Sequence, residues 1–187
     1  MKIDFEKIYK RAVGIIVKPN SEWELIKHEE DEVEEVFKNY ALPFIVVIAL
    51  SEIIGGIYGG GAFSVTLTKS IIGAIFQAAT IYASAYLLSE LARSYGSSSG
   101  FSLCFKVVVF ASTLSWLISI LINLSDSLSF LILFTVYSLY LFWQGLFICI
   151  EISGDKKISY IILSMISILI LEGVLGYAAS KLQIMLT

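Results

Sequence analysis

Five long apolar stretches dominate the chain, at residues 41–61, 71–91, 103–123, 128–150 and 158–179. Each is close to the roughly 20 residues that a helix needs to cross a bilayer. They are continuous apolar runs, without the in-and-out alternation over about ten residues that marks a membrane barrel, and in lipid such a run satisfies its backbone only as helix. The pattern predicts an all-α polytopic membrane protein: a bundle of five transmembrane helices. Short polar connectors separate the runs, at 62–70, 92–102, 125–127 and 151–157. The three-residue link around Asp126 leaves room only for a tight turn, so spans three and four should form an antiparallel hairpin. No long repeat is visible, and an odd number of spans argues against a simple duplicated half.

The chain ahead of the first run is different, and a division falls near Tyr40: 1–40 as a cytoplasmic pair of amphipathic and acidic helices, 41–187 as the membrane domain. From Asp4 to Val17, the apolar residues Phe5, Ile8, Tyr9, Ala12, Val13 and Ile16 recur at the spacing of one helix face, with Glu6, Lys7, Lys10 and Arg11 opposite. Such a helix suits a membrane surface, where Phe5, Ile8, Val13 and Ile16 sink into the acyl boundary and Lys10 and Arg11 meet anionic headgroups. The other reading is that this face packs on the bundle. Pro19 ends the helix. Ser21 and Glu24 have capping-box spacing for a second helix carrying Trp23 and Ile26. Then comes the acidic run Glu29, Glu30, Asp31, Glu32, Glu34 and Glu35, with Val33, Val36, Phe37 and Tyr40 keeping helical spacing into the first span. It reads either as a solvated helix face or as a docking surface for a basic partner. Its helical spacing splays the carboxylates, and no calcium-loop pattern is present, so no metal is expected there.

Composition sharpens this picture. The chain has 187 residues, 57% hydrophobic and 16% charged, with a mean hydropathy of +0.84, far from the usual soluble mixture of about 25% charged residues. Seventeen of the 29 charged residues lie in the first 38 positions. A net charge of −3 offers no basic field for nucleic acid. With the amino terminus in the cytoplasm, eleven of the 13 Lys and Arg residues fall on that side, and only Lys69 and Lys181 on the other. The positive-inside rule thus places the carboxyl terminus outside. The charged start lacks the pattern of a secretory signal. The expected location is the cytoplasmic membrane of a prokaryote, or the Golgi or endoplasmic reticulum membrane in a eukaryote.

Polar groups inside the runs supply the candidate chemistry. Glu52 and Glu172 lie roughly 15–20 Å from the cytoplasmic ends of their helices at 1.5 Å per residue, and a carboxyl at that depth costs roughly 2.5–3.5 kcal/mol on insertion scales. Gln77, Ser112 and Thr113, with Ser115, fall at similar depth, so Glu52, Gln77, Ser112, Thr113 and Glu172 are expected to form one intramembrane polar cluster. Interhelical hydrogen bonding is the simpler use, and a proton- or cation-linked permeation site, as in a small transporter or channel component, is the alternative. Gly55 with Gly59 and Gly56 with Gly60 have the spacing for close helix packing, within the chain or in a homo-oligomer. His28 is the single histidine, and Cys104 and Cys149 read as small apolar residues. No catalytic set, cofactor loop or metal site can be assembled.

Several stretches together resemble the Yip-domain (Ypt-interacting protein) family. Lys18-Pro19-Asn20-Ser21-Glu22-Trp23 resembles the family's opening motif, and Asn39-Tyr40-Ala41-Leu42-Pro43-Phe44 its entrance to the first span. Phe110 to Trp116 is similar to its third span, and Tyr137 to Gly145 to its fourth, followed by Asp155-Lys156-Lys157 and Tyr160. The resemblance covers nearly the whole chain and implies the five-span topology. Phe110 and Thr113-Leu114 stand where many relatives have tyrosine and a Thr-Pro pair, so a proline kink is not expected in the third span. Eukaryotic members are associated with Rab-type GTPases, but their Asp-Leu-x-Gly-Pro signature is absent, and the compact start looks more like the prokaryotic branch. The reading that follows is a non-enzymatic scaffold or adaptor that offers a cytoplasmic helical platform to an unknown protein partner.

Overall fold

A computed structural model describes residues 4–186, which are helical throughout apart from short connectors, with no strand among the described residues. Helix α1 (Phe5–Val17) starts at Asp4, whose carboxylate accepts from the amides of Glu6 at 3.0 Å and Lys7 at 3.1 Å, satisfying donors that the first turn leaves open. It stops before Pro19, and Pro19 opens α2 (Pro19–His28) as its first residue. The expected capping box does not form. A proline in the first turn lacks only an N–H that would have no partner there, so α2 begins two residues before Ser21. The acidic run is not one helix face either. Glu29 is extended, and helix resumes at Val33 behind Glu32.

The five spans are Val33–Tyr58, Phe63–Ser94, Phe101–Leu124, Asp126–Cys149 and Lys156–Leu186, each long and apolar enough to cross a membrane. In the first, residues Phe37–Ala41 form a π turn directly ahead of Pro43, a local widening of the kind that accommodates a proline ring and its missing donor. The division near Tyr40 therefore lies within a continuous helix. The second span has 32 residues and absorbs most of the connector expected at 62–70. Its hydroxyls bond back to their own helix, Thr66 to the Phe63 carbonyl at 3.0 Å and Thr68 to that of Ser64 at 2.9 Å, so their polarity does not break it. The third span is interrupted at Ser112 although no proline is present. Ser112 Oγ donates to the Val108 carbonyl at 2.8 Å, a back-bond that bends helices. The fourth begins as a 3₁₀ helix over Asp126–Phe134 and becomes α-helical from Thr135 to Cys149, leaving Ser125 as the only non-helical residue of the turn between spans three and four.

The core surrounds the first half of the third span, where every residue from Cys104 to Ala111 is buried. The second span lies on one side of it and the fourth on another, with α1 and the start of the first span closing the remainder and α2 packed on the fourth. Ile15, Trp23 and Ile26 belong to the same cluster as Phe105, Leu146 and Tyr160, so the amino-terminal helices share the core of the bundle. They form a cap over one end of it. The far half of the fifth span packs mainly on the second and leaves Val174, Tyr177 and Ile184 exposed.

Candidate functional site: the cap and the intramembrane cleft

Arg11 is where the structure departs most from the sequence reading. It does not face headgroups. The residue is 9% exposed, with Nη1 donating to Glu22 at 2.6 Å and Nη2 to Glu29, and its guanidinium lies 5.3 Å from the Phe110 ring centroid. Lys106, 3% exposed, donates to the Glu29 backbone carbonyl. An ion cluster thus ties α1, α2 and the start of the acidic run to the third span. Trp23, fully buried, lies on the fourth span, where a Cβ on Gly145 would come within 2.8 Å of the indole ring. The absence of a side chain at 145 makes the seat for that ring.

Of the residues expected to meet lipid, Phe5, Lys10 and Val13 are exposed, whereas Ile8 and Ile16 are half-buried. Ala12 and Ile15 form the buried side. Phe5, Tyr9, Val13 and Val17, four residues apart, leave an apolar stripe open along α1. Tyr137 donates to the Ile16 carbonyl at 3.0 Å, holding the end of α1 against the fourth span. Of the six acidic residues, Glu29 is taken by Arg11 and Glu34 pairs with Lys38. Asp31 is half-buried, and its carbonyl accepts from Ser102 at 3.3 Å. Glu30, Glu32 and Glu35 are exposed.

Lys27, in the last turn of α2, is tethered at 2.8 Å to Glu151, two residues beyond the fourth span. The hydrogen bond holds the Glu151 carboxyl below the usual carboxylate range and the Lys27 ammonium above 10.5. For Glu151, the stabilisation is present above its unfolded pKa and lost as pH falls through the lowered one; for Lys27, it is present below 10.5 and lost as pH rises through the raised one. The tether is therefore whole at neutral pH and weakened at both extremes. Hydrogen exchange of the α2 amides against pH is expected to show an acid-side rise that Glu151→Gln lacks, and superimposable profiles would refute the tether.

The intramembrane residues lie around three cavities that share walls. One of about 230 Å³ is lined by Glu52, Gly73, Gln77, Ser119 and Asn123 among others. A central one of about 320 Å³ shares Gly73, Gln77 and Ser119 and adds Thr80, Ser112, Ser115 and Glu172. A third, about 230 Å³, shares Ser112, Ser115 and Glu172 and continues between the fourth and fifth spans. Gln77, Ser112 and Glu172 thus meet on one wall system, and Glu52 joins it through Gln77. Thr113 does not. It is fully buried on the other side of the helix, 2.9 Å from the Tyr40 hydroxyl. Ser119 and Asn123 are readable in principle, because with Ser112 and Ser115 they form one stripe at three- and four-residue spacing.

The glycines divide in two. A Cβ on Gly55 would lie 1.6 Å from the Asn123 carbonyl oxygen, and one on Gly56 would lie 2.4 Å from Thr66 Cγ2, so these two admit the third and second spans. Gly59 and Gly60 do not pack against a neighbouring helix. They end the first span, Gly60 with φ of +84°.

The sequence model described as the Yip1 domain matches residues 13–175. The chain belongs to the Yip1 domain family. No curated protein and no solved structure matches it. The matched region begins within α1 and so includes most of the cap, all of the first four spans and the fifth as far as Leu175. Membership of this membrane-protein family, with five helices able to span, makes the chain an integral membrane protein.

Proposed function

We propose that this Yip1 domain protein is a non-enzymatic adaptor whose cap faces the cytoplasm and presents a fixed helical platform to a protein partner. One observation carries the reading: the cap is bolted to the bundle by Arg11, Lys106 and Trp23, yet carboxylates of the acidic run remain exposed on it. A loose tail would have to be ordered at a cost on each encounter, whereas a fixed surface meets its partner ready-made. Glu30, Glu32 and Glu35 suit a basic partner, while the α1 stripe from Phe5 to Val17, with Lys7 and Lys10 beside it, suits the adjoining lipid leaflet. The excess of Lys and Arg on the cap side supports a cytoplasmic cap and an external carboxyl terminus.

The test is co-purification from native membranes in mild detergent. Changing Glu30, Glu32 and Glu35 together to Lys is expected to reduce capture of a bound partner by at least about tenfold, as like charges meet across the contact. Glu52→Gln with Glu172→Gln should leave it unchanged. If the charge reversal changes nothing, or if both sets of substitutions lose the partner equally, the cap is not the platform.

A further inference from the structure

We infer that the intramembrane cleft is a binding site for a primary ammonium group carried on a hydrocarbon chain. Most of the hydroxyl protons on its wall are already committed. Ser112 donates to the Val108 carbonyl at 2.8 Å, Ser119 to that of Ser115 at 2.9 Å, Thr80 to that of Phe76 at 2.8 Å and Thr135 to that of Ile132 at 2.6 Å. Ser115 gives its proton to Ser138 at 2.9 Å. These hydroxyls therefore turn oxygen lone pairs towards the cavities. Glu172 and Glu52 add carboxylates; neither makes a hydrogen bond or ion pair among the described residues, and of the two only Glu52 has a cation, Lys69, within electrostatic reach. No Lys, Arg or His side chain lines any of the three cavities. Gln77 and Ser138 keep donors on this wall, but acceptors outnumber them, and with two carboxylates the wall is matched by a cationic group rich in N–H donors.

The shape supplies the second half of the ligand. In the cavity between spans three, four and five, Thr135, Ser138, Ser115 and Glu172, interleaved with Val136, Leu139 and Leu169, lie at the end away from the cap, whereas the end towards it has only apolar residues such as Val108, Phe142 and Met165. With its polar groups gathered at one end and none at the other, this space takes an amphiphile whose head sits between Glu172 and the serines and whose chain runs along the bundle. Glu172 itself, Val136 and Leu169 are exposed at its rim, so entry is sideways from the bilayer. A carboxylate such as Glu172, with no charged neighbour at this depth, is costly in hydrocarbon, and an ammonium removes that cost in a way that interhelical packing here does not.

The head group has two sources, an aminophospholipid or a free long-chain amine, and the experiment separates them. The full chain is placed in phosphatidylcholine nanodiscs and titrated with dodecylamine, with emission of Trp116, which lines the central cavity, as readout. A saturable change is expected that Trp116→Phe abolishes and Glu172→Gln weakens by roughly tenfold, the scale of one charged hydrogen bond. Dodecyltrimethylammonium, with the same charge and chain but no N–H, should fail to reproduce it. Met165→Trp, which fills the apolar arm and keeps Glu172, should also weaken it. Phosphatidylethanolamine in the nanodisc shifts the dodecylamine curve to higher concentration if an aminophospholipid is the occupant, and leaves it in place if a free amine is. Equal responses in the parent and both cleft variants, or to the quaternary amine, would mean nonspecific partition and overturn the site.

Discussion

Arg11→Ala is expected to destabilise the protein by about 3–5 kcal/mol, the cost of removing one partner from a buried charge cluster. The guanidinium serves two carboxylates at once, and their side chains retain only 17% and 30% of their exposure. After truncation, Glu22 and Glu29 are left near one another with Lys106 committed to a carbonyl. The carboxylates then have no counter-charge unless the cap opens to admit water. Thermal unfolding of the purified protein, followed by Trp23 emission, should report the loss, because that indole sits in the seat formed by Gly145. Adding Glu22→Gln and Glu29→Gln to Arg11→Ala removes the uncompensated charge and should recover part of the stability. A single variant as stable as the parent would show that the cluster does not hold the cap. So would a triple variant less stable than the single one.

The same residue shows what can and cannot be read from the chain. Membrane insertion turns on length and mean hydropathy, both of which a sequence carries directly, and the five spans follow from them. The three-and-four spacing of apolar residues tells that a helix has two faces; it does not say what each face meets. Arg11 falls on the polar side of α1, and only the fold brings Glu22, Glu29 and Phe110 to it. Helix ends are misplaced by pattern alone wherever a hydroxyl or proline has two uses. Thr66 and Thr68 extend the second span by bonding back to it, and Pro19 starts a helix as readily as it stops one. Much of the polar cluster is legible because depth can be counted at 1.5 Å per residue. Direction round the helix axis is a separate matter, and Thr113 points away from Ser112 because one residue turns the helix by about 100°.

Gly55 should be the least replaceable glycine of the membrane domain. Its added Cβ would lie 1.6 Å from the Asn123 carbonyl oxygen and 2.8 Å from the carbonyl carbon, and both are backbone atoms that no rotamer change can move. The neighbouring contacts prevent an easy retreat: the Asn123 amide donates to Ser51 Oγ at 3.1 Å. Separating the helices enough to admit a methyl group would sacrifice that bond as well. Gly55→Ala is therefore expected to cost about 3 kcal/mol or more, at the upper end of overpacking penalties. At Gly56 the obstacle is the methyl of Thr66, at 2.4 Å, a side chain that can yield, and a cost of about 1 kcal/mol is expected. Gly173 has open space where its Cβ would go, so Gly173→Ala should gain up to about 1 kcal/mol from helix propensity alone. Unfolding midpoints of the three variants in one detergent give the order directly. If Gly55→Ala is as well tolerated as Gly173→Ala, the first and third spans do not approach as closely as their backbones indicate, and the wall that carries Asn123 into the cleft moves with them.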